Sequence, residues 1–376
     1  MAKKKTQKKT SSSSVPAHLA ARVKKLRQRM GELDLDAYLI NYHTDQRYLT
    51  DAELEDSWVL VTSRAVWALS DFRFDEHLDQ AAPHVKKVIR SQADTAGSLG
   101  MLAGDLKLKA IGYQAEHTTM QQYKAITKHI AASKLKATQG VLNELRAIKD
   151  DVEIRQIKRA ISVMEQAFVQ TVSQIRPQMS EREIAALLEY NMRWIGADGP
   201  GFPSIIAVGP NSSICHHTPG RTRANAGKVL LIDFGAETGG YRGDITRTLC
   251  MGEFPKRIAA IYDIVLEAHD AAIDAIRPGR PLKAIDAIAR GIITDAGFGD
   301  RFGHGLGHGI GLDIHEAPRL AGYATGELQA GHVVTVEPGI YLPGLGGVRI
   351  EDDVLVTEKG GKVLTALPTD RESAII

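Results

Sequence analysis

Four acidic residues and one histidine have the types and order that suit a site for two divalent metal ions. In chain order they are Asp233, Asp244, His308, Glu337 and Glu351. Carboxylate oxygens combined with one imidazole are ligands that suit divalent Mn, Co or Zn. Two such ions about 3.5–4 Å apart can activate water and polarise a carbonyl group. The chemistry indicated is therefore metal-assisted hydrolysis.

Two predicted β-hairpins must bring the four acids together. The predicted turns are TGG in the first hairpin and PGLGG in the second, and each turn lies midway between two of the acids. Residues at equal distances from a hairpin turn face each other, with Cβ atoms about 4.5–5.5 Å apart. The expected facing pairs are Asp233 with Asp244 and Glu337 with Glu351.

Facing carboxylates repel each other unless a cation lies between them. Without a cation, one member of each pair should have a raised pKa. The alternative interpretation is that the acids are ordinary solvent-facing strand residues. That alternative is disfavoured because the flanking segments VLLID, VVTVE and VRIED are apolar, and because Asp and Glu are depleted in strands.

Histidines accompany the acids in two segments. His304, His308 and His315 lie in RFGHGLGHGIGLDIHEAP, whose glycines allow the backbone to approach a ligand closely. His216 and His217 lie in NSSICHHTPG. Any one of these alone could be a packed structural histidine. Beside a metal site, neutral histidines can also give or take protons near pH 7.

The composition is that of an ordinary soluble globular protein. The chain has 376 residues, of which 43% are hydrophobic and 24% charged, and this length predicts two or three domains. The net charge of +2 is smaller than the charge of the lysine-rich segment 1–16, so the rest of the chain is close to neutral. This balance argues against a nucleic-acid-binding protein. We predict that residues 1–16 form a disordered basic tail.

The cellular compartment, and whether the chain crosses a membrane, are also predicted from the sequence. There are only two cysteines, Cys215 and Cys250, and they do not form a Cys-x-x-Cys pair. A chain this long with so few cysteines is typical of a reducing compartment, so we expect a cytoplasmic protein. No apolar run is long enough to suggest a membrane span or a secretion signal.

Residues 17–142 are predicted to form an α/β domain, because strand-like runs alternate with helical stretches. Predicted strands lie in DAYLINY, WVLVTS and VWALSDF, with weaker candidates in HVKKVI and KAIGYQ. Predicted helices lie in AHLAARVKKLRQRMGELD and QQYKAITKHIAASK. No glycine-rich phosphate loop begins any of these helices, so we expect a domain that supports the site, shapes it or mediates dimerisation.

Residues 143–376 show one order of elements twice. Two predicted helices, about 151–175 and 180–196, precede the first hairpin, and two more, about 256–277 and 281–297, precede the second. Ser180 and Glu183 have the spacing of a capping box. Pro281 is predicted in the first turn of its helix. The repeat is architectural, since the two halves share no visible sequence identity.

Four motifs together resemble the pita-bread metallopeptidase family, which includes methionine aminopeptidase, aminopeptidase P, prolidase and the metal-free creatinase. The motifs are DFGAETGGYRGDITRT, GHGLGHGIGLDIHEAP, VEPGIY and GVRIED. DAYLINYHTDQRYLT is similar to the beginning of a creatinase/prolidase-type N-terminal domain, and LRAIKDDVEI to the beginning of the catalytic domain. The resemblance implies an α+β fold: a pita-bread catalytic domain at 143–376 after an α/β N-terminal domain at 17–142.

The resemblance also implies roles for the metal ligands. One metal would be bound by Asp233 and the other by His308 and Glu337, while Asp244 and Glu351 would bridge the two. Glu337 would in addition be the general base. Two divalent ions are expected, with Mn favoured by the oxygen-rich ligands and Co or Zn as alternatives.

Four further residues are implied to contact the substrate. His216 and His315 would bind it and stabilise the tetrahedral intermediate. His304 would line the pocket, and Arg349 resembles the arginine of members that cleave before proline. The spacing from the first aspartate favours His216 over His217 for the histidine role.

By this resemblance the leading prediction is an Xaa-Pro aminopeptidase, and the alternative is an Xaa-Pro dipeptidase (prolidase). Methionine aminopeptidase is disfavoured by the N-terminal domain and by Arg349. Creatinase and a non-catalytic peptide-binding module are disfavoured because all five metal positions hold ligand residues. The expected partners are peptides with proline at the second position and a second copy of the chain, because family members are commonly dimers.

Overall fold

The computed structural model describes residues 15–90 and 94–376, which divide into two compact units between Leu145 and Arg146. Most of the predicted basic tail, residues 1–14, lies outside the described residues. Within the described part of the chain, no helix is both long enough and apolar enough to span a bilayer.

The first unit combines six strands with six helices along its described residues. Its strands are β1 (Ala37–Ile40), β2 (Trp58–Thr62), β3 (Val66–Asp71), β4 (Lys86–Arg90), β5 (Ile111–Gln114) and β6 (Leu135–Thr138). Its helices are α1 (Ala17–Glu32), α2 (His43–Thr50), α3 (Asp75–Ala81), α4 (Thr95–Asp105), α5 (Met120–Thr127) and α6 (Val141–Ala147), the last of which runs into the second unit.

One mixed sheet of order β4-β3-β2-β1-β5-β6 organises the first unit. Every residue of β1 and β2 is buried, so both faces of the sheet centre are covered. Leu39, Leu60 and Leu69 form one side of the core with Leu99 of α4 and Ile126 of α5. All five predicted strands are present. The predicted helix at 121–134 is shorter and ends at Thr127.

Four helices frame the second unit: α7 (Asp151–Gln174), α8 (Glu181–Ile195), α9 (Lys256–Asp274) and α10 (Leu282–Asp295). Both α7 and α8 begin with a capping box, in which Asp150 pairs with Glu153 and Ser180 with Glu183. Pro281 is the N-cap of α10, one position before the first turn in which it was predicted. Helix α7 packs on α8 and α9 packs on α10.

The strands of the second unit form two sets, one after each helix pair. The first set is β7 (Gly199–Pro200), β8 (Ile205–Val208), β9 (Val229–Phe234), β10 (Ala236–Thr238), β11 (Tyr241–Arg242) and β12 (Ile245–Cys250). The second is β13 (Gly307–Gly309), β14 (Glu316–Leu320), β15 (Val333–Val336), β16 (Gly339–Leu342), β17 (Gly346–Arg349), β18 (Asp352–Thr357) and β19 (Gly360–Val363). The predicted double order of two helices followed by a hairpin is therefore present.

The first hairpin, β9-β10 against β11-β12, differs from its predicted register. Thr238 pairs with Tyr241, so the turn contains only Gly239 and Gly240, with φ of 58° and 81°. Positive φ at both central positions is the requirement of a type I′ turn. This two-residue turn shifts the register, so that Thr246 lies opposite Asp233. The expectation that Asp244 faces Asp233 is wrong; Asp244 takes a diagonal position.

The second hairpin keeps its predicted register. Strand β15 pairs with β18 through Val336 and Asp352, and β16 pairs with β17 through Gly339 and Arg349. The positions between these two pairs belong to Glu337 and Glu351, which therefore lie opposite each other, as predicted. The turn is shorter than expected, because Gly346 and Gly347 already belong to β17.

Candidate metal centre

One cavity of the second unit, with a volume of about 530 Å³, collects the predicted site residues. A volume of this size is typical of a small-molecule binding site. All nine residues predicted to bind metal or substrate line it: Asp233, Asp244, His308, Glu337, Glu351, His216, His304, His315 and Arg349. The apolar part of the wall includes Phe202, Ile205 and Ile314.

Three of the predicted ligands already have the spacing of a metal site. Asp244, His308 and Glu351 each offer one ligand atom, and these three atoms lie within 4.8 Å of one another. His308 Nε2 is 3.7 Å from Asp244 Oδ2 and 3.4 Å from Glu337 Oε1. Residues from β13, the second hairpin and the segment before β12 thus converge on one point.

The protonation of His308 can be inferred from its hydrogen bond. Its Nδ1 lies 3.1 Å from the carbonyl oxygen of Gly309, which can only accept, so Nδ1 carries the proton. Burial lowers the pKa of His308 to about 3, so the ring is neutral. Its Nε2 therefore presents a lone pair to two carboxylate oxygens. Three hydrogen-bond acceptor atoms this close together are stable only if a cation or a proton lies between them.

Burial and mutual repulsion raise the pKa values of two carboxylates in the cluster. Burial, together with the charges of Glu351 and Asp233, raises the pKa of Asp244 well above its usual value. Burial and the charge of Glu337 do the same for Glu351. Asp244 Oδ1 is buried and has no hydrogen-bond partner among the described residues. An unpartnered buried oxygen in a set of hard donors fits divalent metal ions.

Arg349 is a buried cation that lies beside this cluster. The side chain is only 4% exposed. Its Nη2 forms an ion pair with Asp233 Oδ2, its Nη1 donates to Tyr341 Oη at 2.9 Å, and its Nε donates to Thr246 Oγ1 at 3.0 Å. The guanidinium group is therefore used mainly to hold neighbouring side chains in place.

Tyr341 links Arg349 to His304 and was not singled out by the sequence analysis. Its Oη lies 2.8 Å from His304 Nε2, while His304 Nδ1 lies 2.7 Å from the carbonyl oxygen of Gly305. Burial lowers the pKa of His304 to about 4, so Nδ1 is the protonated nitrogen and Tyr341 donates to Nε2. A side chain at Gly339 would collide with the Tyr341 hydroxyl, so the glycine of VEPGIY is the one sequence signal for this contact.

The two neighbouring histidines have different surroundings. His217 Nε2 lies 2.9 Å from Glu181 Oε2, a fully buried carboxylate that also accepts from the amide of Gly220. His216 exposes its ring in the cavity. The His315 ring packs edge-on against the His308 ring, with centroids 4.3 Å apart, and burial lowers the pKa of His315.

Two more residues at the site escaped the sequence analysis. Asp353 is fully buried, and its Oδ2 accepts the backbone N–H of Asp244 at 3.0 Å. Arg319 lies opposite His308 in the β13–β14 pair and is exposed in the cavity. Neither could be found from local spacing, because both contacts join segments that are distant in the chain or depend on the strand register.

Two family models match the chain. Residues 155–358 match the model of metallopeptidase family M24, which covers more than half of the chain. Residues 22–148 match the model of the creatinase/prolidase N-terminal domain.

Individual relatives span almost the whole chain. The Xaa-Pro dipeptidase of Pyrococcus horikoshii is 34% identical over 355 residues, which cover 93% of this chain and 98% of that protein. Among solved structures, an Xaa-Pro dipeptidase from Bacillus anthracis has a TM-score of 0.90 at 36% identity and covers 94% of this chain and 99% of its own. An X-Pro aminopeptidase from Thermotoga maritima has a TM-score of 0.85 at 36% identity, with coverages of 91% and 99%.

Proposed function

The chain belongs to metallopeptidase family M24, and from this premise we propose that it is an Xaa-Pro dipeptidase. It is a metallo-exopeptidase, as the sequence analysis predicted. Within that class, the similar dipeptidases favour the alternative prediction over the leading one, the Xaa-Pro aminopeptidase. The substrate in this proposal is a dipeptide with proline as its second residue.

The five ligand residues would hold two divalent ions in this proposal, and Mn would suit their oxygen-rich set. Asp233 would hold one ion, His308 and Glu337 would hold the other, and Asp244 and Glu351 would contribute to both. When bound, the ions supply an activated water and a polarised scissile carbonyl. The neutral His308, with its Nε2 lone pair directed at Glu337 and Asp244, supports this assignment.

Glu337 handles the proton in the proposed reaction. Its carboxylate takes a proton from the attacking water and gives it to the departing proline nitrogen. Burial, with a smaller contribution from the charge of Asp233, raises the pKa of Glu337 to about 8 against the opposing effect of Arg349. This value applies to the metal-free site; bound divalent ions would lower it and leave the carboxylate ionised, so that it can accept a proton. His216 and His315, both lining the cavity, stabilise the developing oxyanion.

Arg349 positions other groups in this proposal, because its guanidinium already contacts Asp233, Tyr341 and Thr246. Tyr341 in turn keeps the His304 ring at a fixed angle in the pocket wall. This role replaces the direct substrate contact that the resemblance implied for Arg349.

The observation that carries the dipeptide assignment is Arg319, an exposed residue that lines the cavity containing the carboxylate cluster. A dipeptide has a free carboxylate on its proline, and a guanidinium group binds a carboxylate through two parallel hydrogen bonds. In a longer peptide this carboxylate is replaced by an amide, which carries no charge. Arg319 therefore favours the shorter substrate.

The test compares Leu-Pro with Leu-Pro-amide and Leu-Pro-Gly in the presence of Mn. We expect kcat/KM to be at least about tenfold higher for Leu-Pro, since a hydrogen bond to a charged group contributes about 1.5–3 kcal/mol. Arg319→Gln should lower kcat/KM for Leu-Pro by about 10–100-fold on the same reasoning, with little effect on the amide. Arg371→Gln is the control, since Arg371 forms a surface ion pair with Asp263 away from the cavity residues.

The aminopeptidase is the second candidate, favoured by the similar structure from Thermotoga maritima. It predicts equal or faster cleavage of Leu-Pro-Gly and no selective loss in Arg319→Gln. That result would replace the dipeptidase proposal while leaving the metallo-exopeptidase class intact.

A further inference from the structure

The position directly opposite Asp233 is occupied by a threonine instead of the expected carboxylate. Thr246 is completely buried. Its Oγ1 lies 2.6 Å from Glu351 Oε2 and 3.0 Å from Arg349 Nε. It therefore lies between the second hairpin's bridging acid and the guanidinium group that contacts Asp233.

The direction of both hydrogen bonds follows from the chemistry of the partners. Arginine can only donate, so Thr246 Oγ1 accepts from Arg349 Nε. The hydroxyl proton is then left for Glu351 Oε2, an acceptor when ionised. One hydroxyl thus orients a carboxylate and a guanidinium at the same time. The backbone reinforces this arrangement, because the carbonyl oxygen of Thr246 accepts the amide N–H of Glu351 at 3.2 Å.

A second threonine on the same strand provides a comparison. Thr248 lies two residues further along β12 on the same face, and it is equally buried. Its hydroxyl also makes two hydrogen bonds, at 2.9 Å and 3.1 Å, but both are to the backbone of Arg349. Thr248 holds the two hairpins together without contacting a predicted ligand or the guanidinium group.

We infer that Thr246 is a positioning residue for the metal centre. Its hydroxyl gives the Glu351 carboxylate one orientation and aligns Arg349 with Asp233, so that ligands from both hairpins are held ready for the ions. The inference rests on the proposed function for the role of Glu351 as a ligand. Partners that orient metal ligands typically change metal affinity or activity by about 10–100-fold when removed.

The experiment measures Mn binding by the full-length protein, by competition with a chelating indicator, in Thr246→Val, Thr246→Ala, Thr246→Ser and Thr248→Val. Val preserves the shape of threonine, and Ser and Ala differ from each other by a single oxygen. We expect Thr246→Val and Thr246→Ala to raise the Mn dissociation constant by about 10–100-fold. Thr246→Ser should stay near wild type, and Thr248→Val should lower the melting temperature without weakening Mn binding.

Several results would overturn the inference. One is wild-type Mn affinity in Thr246→Val. Another is equal weakening in Thr246→Ser and Thr246→Ala, which would assign the effect to the methyl group; this pair decides the matter even if Thr246→Val does not fold. Failure of the proposed function looks different: Mn binding would depend on the Thr246 hydroxyl as described, and yet the wild-type protein would not hydrolyse Leu-Pro.

Discussion

The two hairpins of the second unit present their acids in different ways. In the second, Glu337 and Glu351 lie directly opposite each other. In the first, Asp244 is diagonal to Asp233, and Thr246 takes the opposite position. The second hairpin thus supplies a facing pair, while the first supplies two acids in diagonal positions, of which Asp233 forms an ion pair with Arg349. The repulsion between the two acids of a pair is therefore relieved differently in the two hairpins.

This difference shows that two acids placed symmetrically about a predicted turn do not always face each other in the folded hairpin. The first pair is spread along the strands, and Asp233 is compensated by Arg349. The second pair has no comparable ion pair with a cation of the chain among the described residues. We therefore expect the second hairpin to depend more on metal ions, and the following predictions test that expectation.

Asp244→Ala should have the largest effect. The substitution removes a proposed bridging ligand whose Oδ1 has no other partner, so we expect hydrolysis of Leu-Pro to be abolished and bound metal to decrease. Steady-state kinetics and elemental analysis of the purified protein measure both. Glu237→Ala is the control, because Glu237 lies on the same hairpin and pairs with Arg242 outside the cluster. An active Asp244→Ala variant would remove Asp244 from the site.

Glu337→Gln tests the second hairpin by replacing one carboxylate oxygen with an amide nitrogen. We expect kcat for Leu-Pro to fall by about 10²–10⁴-fold, the range typical for loss of a general acid–base group. Metal content should fall less than in Asp244→Ala, because the amide oxygen is still a ligand. The exposed Glu358 provides the control variant Glu358→Gln. A variant with wild-type kcat would show that Glu337 does not move the proton.

Arg349→Lys tests the contact that joins the hairpins. Lysine cannot reproduce three contacts spread over a planar guanidinium group, so kcat/KM should fall by about 10–100-fold, corresponding to one or two lost charge-assisted hydrogen bonds. The measurement is kcat/KM for Leu-Pro, with Arg371→Lys as the matched control. Unchanged kinetics in Arg349→Lys would mean that the guanidinium hydrogen bonds to Tyr341 and Thr246 are dispensable.

The smallest expected effect is a change of thermal stability with pH. Glu337 has a pKa of about 8 in the folded protein and an ordinary value near 4.5, so its protonated form stabilises the fold. That stabilisation is complete at pH values below about 4.5 and is lost as pH rises through about 8. In excess chelator, the melting temperature should therefore fall between pH 6 and pH 9.

Excess Mn should reverse this trend. Metal binding requires deprotonated ligands and so becomes stronger as pH rises. At a Mn concentration of 100 times the dissociation constant, the stabilisation should be about 2.7 kcal/mol. Scanning calorimetry at several pH values compares the two conditions. A melting temperature that rises with pH in chelator would contradict the crowding of the second hairpin.

Local sequence patterns predicted the framework of the molecule well. The capping box at Ser180, the helix pairs and the order of the strands follow from periodicity and from short-range signals. The nine site residues were found through their types and through the resemblance, and all line one cavity. Their chemical roles are the proposals made above. Thr246, Tyr341, Asp353 and Arg319 were missed, because hydroxyls, a tyrosine and single charges carry no distinctive spacing.

The sequence by itself determined the kinds of elements, their order and the chemistry of the ligand set, because these depend on residue types and on interactions within a few positions. Tertiary structure decided which side chains meet. Whether the glycines at 239 and 240 form a two-residue turn sets the register of the whole first hairpin, and one step of register changes every facing pair. The contact of Thr246 with Glu351 spans 105 positions, so only the folded arrangement of the two hairpins could reveal it.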